Sequence, residues 1–275
     1  MKARKEQPPG SRFCYQLDKP RLADYPTRST ETLKPLQPTL ELIGEYQRRL
    51  WANRRHSVLL LVHGIDASGK DSLIRTLATH MDPAGFHAWS FGRPLGEEAR
   101  HDFLWRVVPK LPAHGEVSAF NRSYHEATIA ERVWPVHEPE RYDWQARYDA
   151  IRAFEKHLLS EGTSLIKLWL NLSDSEHKKR LIKRLDKPRK RWKFDKSDIE
   201  AWYRRKEYMD FAEQSMAATH TDKAPWHIIP GDNKPAARAI VAELLAEHLQ
   251  RLAPDYPSER PEVLDQYRKL LNDAD

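Results

Sequence analysis

Val58-Leu59-Leu60-Leu61-Val62-His63-Gly64-Ile65-Asp66-Ala67-Ser68-Gly69-Lys70-Asp71-Ser72 reads as a strand, a loop and the start of a helix. Five consecutive apolar residues predict a strand buried on both faces. The glycines let the backbone curl so that its N–H groups converge on phosphate oxygens. The helix that follows, with Leu73 and Leu77, adds its positive N-terminal end, and Lys70 neutralises the transferring group. The predicted phosphate cradle is Gly64, Ala67, Ser68, Gly69, Asp71 and Ser72. Two features depart from the general pattern. Asp71 stands where a Ser or Thr usually binds magnesium, with Ser72 one residue later. Asp66 puts a carboxylate inside the loop, where a cation must lie between it and phosphate, so it is a candidate metal contact. The competing reading of Asp66 is an Asx turn that shapes the loop.

Outward from this segment, four more strands are expected at His87–Phe91, Glu116–Phe120, Leu165–Leu172 and Trp226–Ile229. Helical patterns alternate with them at Glu97–Val108, Glu140–Ser160, Ser175–Leu185, Ile199–Ala218 and Lys234–Leu252. Another helix begins near Thr39, with Leu42, Tyr46 and Leu50 along one face. Ser173-x-x-Glu176 and Ser197-x-x-Glu200 read as capping boxes, and Gly162 as a helix C-terminus. The alternation predicts an α/β fold with a mostly parallel five-stranded sheet flanked by helices. Residues 1–38 read as an arm that wraps the domain or stays mobile, residues 39–254 as the domain, and residues 255–275 as a polar tail with one amphipathic segment, Val263–Leu271.

The strand Glu116–Phe120 runs into Asn121-Arg122-Ser123-Tyr124-His125-Glu126. Strand C-termini line the ligand crevice of parallel sheets, so this segment should face the loop. Arg122, whose planar fork can hold two oxygens, is the candidate for stabilising charge on the transferring phosphoryl group. Its alternative is a structural ion pair. Glu126 restores a carboxylate beyond Asn121. A third feature, Arg180 to Lys193, holds eight basic residues and one acidic residue in fourteen positions. With a phosphate loop in the same domain, it reads as a lid (about 180–197) closing over a polyanion. Read alone it is a solvated face or a nonspecific nucleic-acid patch.

The 275 residues carry a net charge of +6 and one cysteine, Cys14. The charge suggests an anionic partner. A single cysteine excludes an internal disulfide and points to the cytosol. No run of apolar residues is long enough to span a membrane, and no secretory signal is read at the N-terminus. The thirteen histidines show no zinc spacing. His101-Asp102 lies inside a helical pattern and reads as surface or packing.

Gly64–Ser72, Phe120-Asn121-Arg122-Ser123 and the run from Arg184 through Lys190 and Arg191 to Phe194 together resemble the polyphosphate kinase 2 family. Ala224-Pro225-Trp226 and His101 to Arg106 extend the resemblance, which covers roughly residues 40 to 255. It implies a P-loop kinase core with a helical lid. It also implies transfer of the terminal phosphoryl group between inorganic polyphosphate and a nucleoside mono- or diphosphate (adenine or guanine nucleotides), with Mg2+ or Mn2+. Asp66, Lys70 and Arg122 match its catalytic positions, and Asp66 and Glu126 its metal contacts. Arg184, Lys190 and Arg191 match lid positions for phosphate, while Arg75 and Arg106 fall along the donor channel. Asn121 with Glu126 resembles the subgroup that accepts both AMP and ADP, although Tyr124-His125 reverses the His-Tyr order expected there. A homo-oligomer, dimer or tetramer, is expected, with no specific nucleic acid and no membrane as partner. The rival readings are an ATP-dependent nucleoside monophosphate kinase, which would usually carry Ser or Thr at position 71, and a basic nucleic-acid-binding P-loop module, which leaves Lys70 and Asp66 without a role.

Overall fold

A computed structural model describes residues 11–192, 194–252 and 254–273 of the chain. Its centre is a five-stranded parallel sheet of β1 (Ser57–His63), β2 (Phe86–Ser90), β3 (Val117–Asn121), β4 (Thr163–Asn171) and β5 (Trp226–Pro230), in the order β2-β3-β1-β4-β5. All seven residues of β1 are buried, as its unbroken apolar run requires. Val58, Leu60 and Val62 point to one core layer, and Leu59 and Leu61 to the other. β1 therefore welds the two layers together.

The helices are α1 (Leu36–Asn53), α2 (Lys70–Leu77), a one-turn α3 (Ala130–Val133), α4 (Trp144–Ser160), α5 (Asp174–Asp186), a short α6 (Pro188–Arg191), α7 (Lys196–Tyr203), α8 (Arg205–Thr219), α9 (Lys234–Leu252) and α10 (Pro261–Asn272). α1 and α2 pack with α9, while α4 packs on β4 and α8. Asp143 caps α4 by accepting from the Ala146 amide, and Ser173 caps α5 by accepting from the Glu176 amide. Gly162 follows α4 with φ +83°, the left-handed turn that a residue without Cβ makes at least cost.

Four local expectations are corrected. First, Glu97–Val108 is not a helix but two short 3-10 turns, Glu98–Arg100 and Val108–Lys110, joined by irregular chain. His101 is extended, and the Asp102 carboxylate accepts from the Leu104 amide at 2.9 Å. That local bond competes with the helical ladder. Second, α1 buries Leu40, Ile43, Gln47 and Leu50, while Leu42 is exposed and Tyr46 half-buried. Third, the capping box before α7 is formed by Asp195 and Asp198, not by Ser197 and Glu200. Fourth, Ile199–Ala218 is split into α7 and α8 at Arg204.

The described part of the arm wraps the domain. The Tyr15 amide donates to the Trp226 carbonyl at 2.8 Å, and Cys14 bridges antiparallel to His227. Phe13, Tyr15 and Leu22 enter the core. The arm's first ten residues lie outside the described part. α10 has an apolar stripe but no buried residue. Among the described residues no helix is long and apolar enough to cross a membrane.

Candidate active site

The β1–α2 loop closes on itself as the glycine spacing requires. Gly64 has φ +139°, and a Cβ there would lie 3.0 Å from the Leu170 carbonyl oxygen and 3.0 Å from Ser68 Oγ. A side chain there would be strained and crowded. Ala67 is left-handed at φ 61°, a conformation costing roughly 1–2 kcal/mol for a residue with a Cβ. Lys70 reaches back into the loop, where its ammonium donates to the carbonyls of Gly64 (2.8 Å) and Ile65 (3.1 Å). Burial, then the Arg122 charge, pulls its pKa down to about 8.

Parallel pairing sets Val62 beside Asn121, so the end of β3 meets the loop as strand-end geometry predicts. The Asn121 amide donates to the Asp71 carboxylate. Arg122, left-handed at φ 64°, pairs with the Asp66 carboxylate across the crevice. Asp66 is thus engaged by an arginine rather than by its own backbone in an Asx turn. Burial pushes the Asp66 carboxyl up, but the charges of Arg122 and Lys70 outweigh it and hold it at about 2. The same pairing pushes Arg122 further up.

Glu126 lies in the 3-10 turn Tyr124–Thr128, where Ser123 is the N-cap. Its carboxylate meets His63 Nδ1 at 3.0 Å and accepts from the Tyr208 hydroxyl at 3.1 Å. His63 Nε2 lies 2.8 Å from Ser123 Oγ. A carboxylate can only accept, so the contact assigns a proton to His63 Nδ1. Burial pushes Glu126 up, but the His63 hydrogen bond and the Arg122 charge bring it below the ordinary range. Tyr124 and His125, the pair in reversed order, turn away from the crevice. Both donate to Glu155, which also receives the buried Lys167 ammonium at 2.7 Å.

Three of these groups, Asp66, Arg122 and Glu126, open on one cavity of about 360 Å³, which Lys70 and Asn121 do not line. Asp66, Arg122 and Glu126 form one side, Arg93 and Arg106 come from the chain after β2, and Trp134, His177 of α5, Asp198 of α7 and Arg205 and Tyr208 of α8 form the rest. Arg106 is fixed by the Gly92 carbonyl at 2.8 Å and by Glu98 at 3.0 Å. Ser68, Gly69 and Ser72 line a separate small hollow with Lys234 and Arg238. Arg75 is exposed on the last turn of α2 and does not line the cavity.

The basic run divides by burial. Arg180 is a brace rather than a lid residue. Its guanidinium donates to the carbonyls of Ser68 (2.6 Å) and Gly231 (2.7 Å) and pairs with Glu176 at 2.8 Å. Arg184 ties α5 to α7 through Asp198 at 2.8 Å. Arg191 is exposed, with Nε donating to the Leu185 carbonyl at 2.8 Å. The side chain of Lys190 and all of Lys193 lie outside the described residues.

Sequence reasoning passed over Arg93, Trp134, His177, Asp198, Arg205 and Tyr208. Arg93 follows β2 by three residues, so the strand-end rule could have found it. The others carry no local signal. Among the described residues no group of three or more His, Cys, Asp or Glu side chains is placed to hold a metal. Magnesium needs only one or two carboxylates when phosphate oxygens complete its shell. Asp66, ionised and facing the cavity, meets that need. The oxygens of Glu126 are already engaged by His63 and Tyr208.

A family model, Polyphosphate kinase 2 (PPK2), matches residues 28–256. An ADP-polyphosphate phosphotransferase of Rhodopseudomonas palustris is 37% identical over 250 residues, 86% of each chain. An AMP/ADP-polyphosphate phosphotransferase of Meiothermus ruber is 35% identical over 260 residues, 94% of this chain and 96% of the relative. The crystal structure of polyphosphate kinase 2 from Arthrobacter aurescens superposes with a TM-score of 0.89 at 31% identity, covering 97% of each chain. With its phosphate loop and five-stranded parallel sheet, and with this likeness over nearly its whole length, the chain belongs to the polyphosphate kinase 2 family.

Proposed function

We propose that the protein transfers a phosphoryl group reversibly between inorganic polyphosphate and a nucleoside mono- or diphosphate, converting AMP to ADP or ADP to ATP. The observation that carries this reading is the Asp66–Arg122 pair, which faces one cavity that Arg93, Arg106 and Arg205 also line. The names of the relatives support it.

An oxygen of the acceptor's terminal phosphate attacks the terminal phosphorus of polyphosphate, and the bond to the rest of the chain breaks. The donor leaves one unit shorter. Catalysis of such a transfer is positioning and charge stabilisation. Lys70, released from the Gly64 and Ile65 carbonyls, contacts the transferring group, and Arg122 holds its equatorial oxygens. Glu126, held by His63 and Tyr208, orients the acceptor from the cavity wall. Asp66 would hold magnesium, which when bound neutralises phosphate charge. Arg184, Lys190 and Arg191 would follow the donor chain. Nothing in this scheme requires a nucleoside triphosphate, and the reaction belongs in the cytosol, where the nucleotides are.

Purified protein with magnesium, polyphosphate and AMP or ADP should form ADP or ATP, read by nucleotide chromatography. Product that forms only when another triphosphate is supplied would replace this reading with an ATP-dependent kinase.

A further inference from the structure

Buried polar groups in native proteins almost always have hydrogen-bond partners, and an exception calls for an explanation. Among the described residues, two unpartnered buried groups line the cavity, one on α5 and one on α8. His177, one turn into α5, is 2% exposed, and neither of its ring nitrogens has a partner. The Asp66 backbone lies beside the ring without hydrogen-bond geometry, and Trp202 packs against it with ring centroids 5.3 Å apart. Arg205, the first residue of α8, pairs one guanidinium nitrogen with the Asp174 carboxylate. Its Nε is shielded from solvent and has no partner. The two residues line the same cavity.

We propose that His177 and Arg205 form an anion subsite, beside Asp66 but built from α5 and α8 rather than from the loop's own backbone, that binds a phosphate oxygen of a substrate held in the cavity. The proposal rests on the phosphoryl-transfer function above and adds residues to it. The chemistry fits a phosphate in three respects. Each residue has an uncommitted N–H donor, and a non-bridging phosphate oxygen accepts several hydrogen bonds. One donor belongs to a fixed cation, which strengthens its bond. The Asp174 contact holds the guanidinium at the start of α8, where Arg205 lines the cavity. A substrate phosphate entering the cavity displaces the surfaces that now shield these donors, so the subsite forms as substrate binds. In the ligand-free protein the unmet donors are a local cost, as is common where a binding site trades stability for function.

The phosphate could belong to the nucleotide or to the polyphosphate chain, and the test separates the two. His177→Leu, His177→Gln and Arg205→Gln are made in the full-length protein. Each is melted without ligand and with AMP, ADP or tripolyphosphate in magnesium, and binding of each probe is measured by calorimetry. The Michaelis constants for nucleotide and polyphosphate are also determined. If the subsite exists, ligand-free His177→Leu melts no lower than the parent, because it removes a polar group that had no partner. Its ligand-induced rise in melting temperature shrinks for one class of probe, and the matching Michaelis constant and Kd rise about tenfold or more. His177→Gln, which keeps a donor, recovers part of the loss. Arg205→Gln shows the same selectivity, and the double variant loses less than the product of the single effects. A loss confined to AMP and ADP assigns the subsite to the acceptor, and one confined to tripolyphosphate assigns it to the donor. The subsite is overturned if all variants keep parental binding of every probe, or if His177→Leu only melts lower with ligand responses intact. A parent that binds the probes but makes no nucleotide from polyphosphate would sink the functional reading alone, and the calorimetric arm still decides the subsite.

Discussion

Lys70→Met should produce a protein that is more stable without ligand and nearly inactive. In the ligand-free loop the ammonium is buried, and its pKa falls from 10.5 to about 8. A tenfold change in a protonation constant is worth about 1.4 kcal/mol, so holding Lys70 charged costs the folded protein about 3 kcal/mol at neutral pH. Methionine removes that cost and keeps the apolar stem. It forfeits the hydrogen bonds to Gly64 and Ile65, which returns about 1–2 kcal/mol. The net gain is about 1–2 kcal/mol, or about 2–8 °C in melting temperature. The pH dependence has a definite sign. Because the folded pKa lies below the unfolded one, the unfolded chain binds more protons, and the wild type gains stability as pH rises from 8 toward 10.5. The advantage of Lys70→Met is therefore full at pH 7 and gone near pH 10. Turnover with polyphosphate and ADP should drop about 10²–10³-fold, the usual loss for a group that stabilises transition-state charge. Thermal unfolding at pH 7 and pH 10, paired with the nucleotide assay, tests both halves. A variant that melts below the wild type at pH 7, or whose advantage is the same at pH 10, refutes the account of a charge kept under strain for catalysis.

Four other variants test the site and the buried pair behind it. Asp66→Asn and Arg122→Lys should each lower turnover about a hundredfold or more with the fold intact by circular dichroism, because the first loses the carboxylate and the second the planar fork; near-normal rates would dismiss the pair as structural. Glu155→Leu strands the Lys167 ammonium, which is 0% exposed, and should cost about 3–5 kcal/mol in urea unfolding; a loss under about 1 kcal/mol would mean Lys167 gives up its proton instead. The double change Arg184→Gln and Arg191→Gln should raise the Michaelis constant for long polyphosphate and flatten its salt dependence, with little effect on the nucleotide. Unchanged donor affinity and salt slope would move the donor channel away from these residues.

The sequence by itself determined β1, the phosphate loop and the placing of Arg122 and Glu126 at a strand end. Each is a local matter. An apolar run of five must be buried on both faces, glycines at 64 and 69 permit one kind of turn, and a parallel strand delivers its C-terminus to the crevice. The helix expected at Glu97–Val108 failed for an equally local reason, since Asp102 captures the Leu104 amide, a competition that apolar spacing does not register. Only the tertiary structure decided which basic residues serve which end. Arg180, Arg184 and Arg191 are chemically alike in the sequence. One is buried against Ser68 and Gly231, one bridges to Asp198, and one is exposed. The partners of Glu126 were equally hidden. Tyr208 lies 82 residues away in sequence and His63 lies 63 away, and neither spacing nor composition encodes such a contact. Burial and long-range hydrogen bonds depend on how helices are laid across the sheet, and that packing alone turns a charged run into a brace, a bridge and an exposed cation.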